Sequence, residues 1–190
     1  MPKTFEAISA ESISALERRI EELEKKSNQI NTSEALNMVV FSGELDKLLA
    51  AFVIATGAAA CGMRVSMFFS FWGAAALKKE GPQSKGKSLV EKMFGWMLPG
   101  GLSKRKLSKL DMLGVGRQMM VREMAKKNVA TLPELIEIAK ELGVEINICE
   151  MSMSLMGIRA EELIDYPHMG FSGVAHFVEQ SSTSHATLFI

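Results

Sequence analysis

The sequence predicts an α/β fold built on parallel strands, and three observations predict it. LNMVVF (36–41) and RVSMFFSFW (64–72) are short apolar runs, rich in β-branched and aromatic residues, with a helical stretch between them. A helix opened by a capping box leads into a third, alternating run that ends at Cys149. The closing residues ATLFI (186–190) make a further apolar run. Strands that alternate with helices form βαβ units, whose loops and ligands gather at the carboxyl edge of the sheet.

The elements follow in order. Residues 8–30 stand apart by composition, because Ile13, Leu16, Ile20, Leu23 and Ile30 recur at helical spacing among Glu and Lys. Residues 1–33 therefore read as an amphipathic amino-terminal helix, packed on its own domain or joining subunits as a short coiled coil, and broken at 28–33. The α/β domain is expected over 34–190. Its first strand ends in a Ser42-Gly43 turn. A helix over 44–62 carries Glu44 and Asp46 in its first turn and closes on Gly62. After the second strand Gly73 turns the chain, and AAALKK begins another helix.

Residues 78–110 change character. Nine Lys and Arg face only Glu80 and Glu91, Gly and Pro recur, and Met93, Phe94, Trp96, Met97 and Leu98 sit in the middle. This basic insertion reads either as a lid or docking element over the active edge or as a solvated connection with an apolar anchor. A Met-rich helix is expected over 111–127. Thr131-Leu132-Pro133-Glu134 opens the next, which ends before Gly143 and leads to the strand holding Cys149. A short helix over 159–164, a loop over 167–173, a helix over 174–182 capped by Ser172, and the final strand complete the chain.

Lys plus Arg (22) balances Asp plus Glu (22), so no global field draws the chain to nucleic acid. Two cysteines, with no CxxC and no Cys/His cluster, argue against a disulfide scaffold or a structural zinc site and for a reducing, cytoplasmic setting. The amino terminus lacks the apolar core of a secretory signal. Residues 48–77 are almost continuously apolar, but Arg64 divides them into two stretches, each shorter than the ~20 residues a spanning helix needs. A buried helix followed by a buried strand explains them better.

Cys149 is the first candidate for chemistry, because it closes a strand at the edge where reactive groups collect. Backbone N–H groups of a helix starting just after it favour the thiolate, while apolar neighbours and Glu150 oppose it. Met151, Met153 and Met156, with Phe71 and Trp72, are candidates for a soft apolar wall, or else plain core. Ser42 and Gly43 form a turn that suits an anion; no GxGxxG or GxxxxGK[ST] supports a nucleotide, and no cofactor is expected. His168, His176 and His185 are too widely spaced for a metal site; His168, in a loop, is the histidine expected to approach Cys149 as a base.

From Leu36 onward the chain resembles the DsrE/DsrF/DsrH-like family, in the branch labelled peroxiredoxin-like or sulfurtransferase. The matching pieces are the first strand with Ser42-Gly43, FFSFWG (68–73), CEMSMSLMGI (149–158) and the closing GVAHF with its strand. The resemblance implies a three-layer α/β/α fold around a parallel sheet of four to five strands, a flavodoxin-like variant. It implies that Cys149 holds sulfane sulfur as a persulfide in a relay. Cys149 matches the cysteine of the family's CxMSMxxMG block, and Phe71, Trp72 and Gly73 match its aromatic turn; Cys61 matches no family position. The implied partners are a rhodanese-like donor, a small TusA-type carrier and further copies of the chain.

Two other readings compete with a sulfur carrier or sulfurtransferase. One is a non-catalytic assembly or membrane-surface protein that recruits through the amino-terminal seam and the basic, Trp-containing insertion. The other is a thiol peroxidase, ranked behind because no peroxidatic motif surrounds Cys149.

Overall fold

The structure, a computed structural model, describes residues 13–22, 33–98, 100–102 and 105–190. The chain divides into two units, residues 1–32 and 33–190. In the first, α1 spans 13–22, and its Ile13, Leu16 and Ile20 are all more than half exposed. Leu23 and Ile30 of the expected seam, and the break at 28–32, lie outside the described residues.

The second unit is a five-stranded parallel sheet made of β1 (Ser33–Val40), β2 (Arg64–Phe69), β3 (Glu145–Cys149), β4 (Met169–Ser172) and β5 (Ser184–Phe189). Its helices are α2 (Leu45–Ala60), α3 (Trp72–Ala76), α4 (Leu89–Met97), α5 (Val115–Lys126), α6 (Leu132–Glu141), α7 (Glu150–Met156) and α8 (Val174–Thr183). The strand order is β4-β3-β2-β1-β5. The chain therefore steps outward from β1 to β4 and then returns to lay β5 on the other side of β1. Right-handed crossovers put the helices of the outward run on one face and the returning α8 on the other. Three layers result.

Alternation along the strands sets what each face meets. Leu36, Met38, Val40, Val65, Met67, Phe69, Ile146 and Ile148 point into the main core under α2 and α6. Met38, Met67, Phe69 and Ile146 are fully buried, and each such side chain contributes about 1.5–3 kcal/mol relative to exposure. Ala51, Ala55 and Ala139 are also fully buried, which lets α2 and α6 approach closely.

The opposite face is more polar. Asn37 Nδ2 donates to the Phe177 carbonyl (3.1 Å) and Ser181 Oγ (2.8 Å), and Ser66 Oγ donates to Gln180 Oε1 (2.8 Å), which ties α8 to the centre of the sheet. Asn147 and Cys149 lie on this face.

The observed elements depart from the expected ones in places. The second strand stops at Phe69 because residues 70–73 fold back as a turn. The stretch expected as a loop holds β4, a four-residue edge strand that exists because β3 pairs with it. Residues 111–127 form a short 3-10 turn, Met112–Gly114, before α5. The cap of α8 is Gly173, not Ser172. At Thr131 the expected capping box is present.

The basic insertion carries α4, opened by a Ser88–Glu91 capping box. Its entry is fixed by a buried ion pair, Lys87 Nζ to Glu162 Oε2 at 2.7 Å, and its far end by Lys78 Nζ donating to the Leu98 carbonyl (3.0 Å).

Candidate functional site

Cys149 is the last residue of β3 and the N-cap of α7, with extended backbone (φ −66°, ψ 111°). Its side chain occupies the place where Ser or Asp ordinarily accepts from the first free N–H groups of a helix. The thiol closes no capping hydrogen bond. Burial pushes the thiol up; the Ser152 hydroxyl and N–H, the Ser70 hydroxyl and the Met151 N–H, all around the sulfur, pull it down, and they win. The thiolate is therefore favoured over that of an ordinary cysteine.

Ser152 links these groups. Fully buried, its Oγ lies 3.2 Å from Ser70 Oγ and accepts the Phe71 N–H at 2.9 Å. The Gly73 N–H donates to the Ser70 carbonyl (2.9 Å), closing a β-turn with Phe71 at its first central position. Phe71 has φ 44° and ψ −118°, the geometry of a type II′ turn, where glycine is the usual residue. That strain sits directly beside the thiol's polar surroundings. Gly73 is needed for another reason: a Cβ there would stand 2.2 Å from the Val40 carbonyl oxygen.

The expected site residues do not gather in one place. Ser42, Gly43 and Trp72 line a cavity of about 490 Å³ at the carboxyl end of β1, with Phe41, Lys47 and Arg105. This is the switch point of the strand order, where open α/β sheets gather ligands. Cys149 does not line it. Phe71 packs on Phe41, with ring centroids 5.2 Å apart. Met151 is exposed, whereas Met156 is buried in the main core and Met153 packs against that core. The three methionines therefore do not converge into one wall.

Cys149 itself is 3% exposed, so the sulfur is covered rather than open at the rim. His168 is not its base. It precedes β4 at the amino edge, where its carbonyl accepts the Ile146 N–H, while Cys149 pairs with Ser172 at the far end of that strand. At ~3.3 Å per residue, that is on the order of 10 Å of strand. Cys61 follows α2 at the amino edge too, with the length of β2 between it and the site. A Cys61–Cys149 disulfide, which needs Cα atoms within about 7 Å, is out of reach in this fold. No group of three or more His, Cys, Asp or Glu that could hold a metal occurs among the described residues.

Comparison with known proteins places the chain. The family model described as "DsrE/DsrF/DrsH-like family" matches residues 32–189. The chain belongs to the DsrE/DsrF/DrsH-like family. Over 153 residues this DsrE-like chain is 44% identical to the uncharacterized protein YrkE of Bacillus subtilis, covering 80% of the chain and 94% of that protein. Over 159 residues it is 32% identical to the sulfur carrier protein DsrE2 of Allochromatium vinosum, covering 82% and 97%. No helix among the described residues is long and apolar enough to cross a membrane.

Sequence reasoning on the DsrE-like chain missed the three serines that surround Cys149. Ser152 had a readable signal: it stands three residues after a cysteine at a strand-to-helix junction, where an N-cap side chain meets the third helical residue. Ser70 and Ser172 had none, because strand pairing alone brings them to Cys149.

Proposed function

We propose that this protein is a sulfur carrier that holds sulfane sulfur as a persulfide on Cys149 and relays it to an acceptor protein. One observation carries the reading: a covered thiol at the carboxyl end of β3, with its anion favoured by Ser152, Ser70 and the Met151 N–H. The sulfur-carrier relative supplies the class of cargo.

The Cys149 thiolate attacks the terminal sulfur of a sulfane donor. A Cys149 S–S bond forms, the donor's own sulfur bond breaks, and the donor leaves with the electron pair. An acceptor thiolate then attacks the outer sulfur, and Cys149 departs as the thiolate it began as. No net oxidation occurs and no cofactor is required. Cover over the sulfur keeps water and stray thiols from the persulfide, and loading requires the turn at 70–73 or the start of α7 to part.

Ser172 adds support. It pairs with Cys149 across the β3–β4 ladder, on the same face, and its buried Oγ has no hydrogen-bond partner among the described residues. A terminal sulfur anion beside Cys149 would offer that hydroxyl an acceptor, as the bare thiol does not. The acceptor we propose is a small TusA-type carrier. Cyanide treatment of donor-loaded protein tests the reading: thiocyanate should be released from the wild type and not from Cys149→Ser. Equal release from both would move the cargo to another residue.

A further inference from the structure

A surface helix ordinarily turns its apolar stripe to the core. In α4 the arrangement is inverted. Leu89, Val90, Met93, Trp96 and Met97 share one face at helical spacing, and their exposure runs from 53% to 86%. Gly95 is buried against the Gln83 side chain, and Phe94 and Leu98 are half-buried, so the narrower side meets the protein. Fraying does not explain this outward face, because the capping box, the Lys87–Glu162 pair and the Lys78 bond to Leu98 fix both ends of the helix.

The end of the insertion and the 3-10 turn after it present a second apolar feature. Leu110, Met112 and Leu113 are 79%, 71% and 106% exposed, and all three have left-handed backbone (φ 58°, 42° and 61°). Large side chains rarely adopt that conformation, and here it holds them out toward solvent.

Charge decides what covers these surfaces. Over 78–127 thirteen Lys and Arg stand against Glu80, Glu91, Asp111 and Glu123, although the chain as a whole is neutral. A second copy docking through the same patch would bring two strongly basic segments face to face, which opposes a symmetric contact. An anionic bilayer complements both features, since apolar side chains enter the interface while lysines meet the lipid headgroups.

We propose that residues 78–127 dock this protein on an anionic lipid surface, with the outer face of α4 and the Leu110–Leu113 tip as the inserted contacts. The site uses no part of the Cys149 chemistry, so either reading can fail without the other.

The full-length protein is tested by flotation with vesicles of phosphatidylcholine and phosphatidylglycerol, and with phosphatidylcholine alone. Binding should require the anionic lipid and fall with salt. Trp96→Ala with Leu113→Ala, and separately Lys85→Glu with Lys92→Glu and Lys109→Glu, should each weaken it about tenfold or more. All these side chains are exposed, so unchanged melting curves are expected, and Val174→Ala, exposed outside the segment, should bind as wild type. Absence of binding, equal binding to neutral vesicles, or indifference to the Trp96/Leu113 pair overturns the proposal. So does a fall in sedimenting mass in that double variant, which would make the face a subunit contact.

Discussion

Ser70 Oγ and Ser152 Oγ lie 3.2 Å apart, joining the end of β2 to the first turn of α7 next to Cys149. Ser152→Ala removes the partner of Ser70 and strands the Phe71 N–H, so it should destabilise the domain by about 1–3 kcal/mol in urea or thermal melts. It should also raise the thiol's titration. In the wild type, alkylation of Cys149 should reach half its maximal rate at a lower pH than that of an ordinary cysteine; in Ser152→Ala that midpoint should move upward. The lowered thiol contributes fully to stability above the unfolded value, and its contribution is lost as pH falls through the folded one.

Gly73 tests the close approach of the two turns at the carboxyl edge. In Gly73→Ala the new Cβ meets backbone at the Val40 carbonyl, which cannot swing aside as a side chain can. The loss should reach or exceed the upper end of the ~1–3 kcal/mol typical of overpacking. Gly57→Ala, with nothing within 4 Å of the added Cβ, is the control and should be neutral or slightly stabilising in the same melt.

Lys87 and Glu162 hold the entry of the insertion, with side chains 1% and 6% exposed. Burial pushes the Glu162 carboxyl up, but the Lys87 ammonium and the Ser84 and Arg159 N–H groups outweigh it and hold the carboxyl below its usual value. Its stabilisation is therefore complete above the unfolded carboxylate value of about 4.3 and disappears as pH falls through the lower folded one. Lys87→Met should cost about 3–5 kcal/mol at neutral pH by leaving a buried carboxylate unpaired. Adding Glu162→Gln should recover most of that loss, as read by denaturant midpoints.

The strands that form the core were legible because burial writes itself into short runs: LNMVVF and RVSMFF are largely apolar, and only the strand of Ile146 and Ile148 shows alternation. The helix after Thr131 was legible through its capping box. What escaped reading depends on partners distant in the chain. Met169 to Ser172 becomes a strand only because β3 offers it a ladder. His168 reads as loop and base, yet strand direction sends it to the wrong edge. Met153 and Met156 stand near Cys149 in sequence, but the turns of α7 carry them to the core. Ser70 lies far from Cys149 along the chain, and only the pairing of β2 with β3 brings it there.

The most direct measurement is the intact mass of the protein after incubation with a sulfane donor, followed by removal of excess reagent. The wild type should gain the mass of a single sulfur, reversible by a thiol reductant, and Cys149→Ser should gain none. A full adduct on Cys149→Ser, or no adduct on the folded wild type, would contradict a persulfide carried on Cys149.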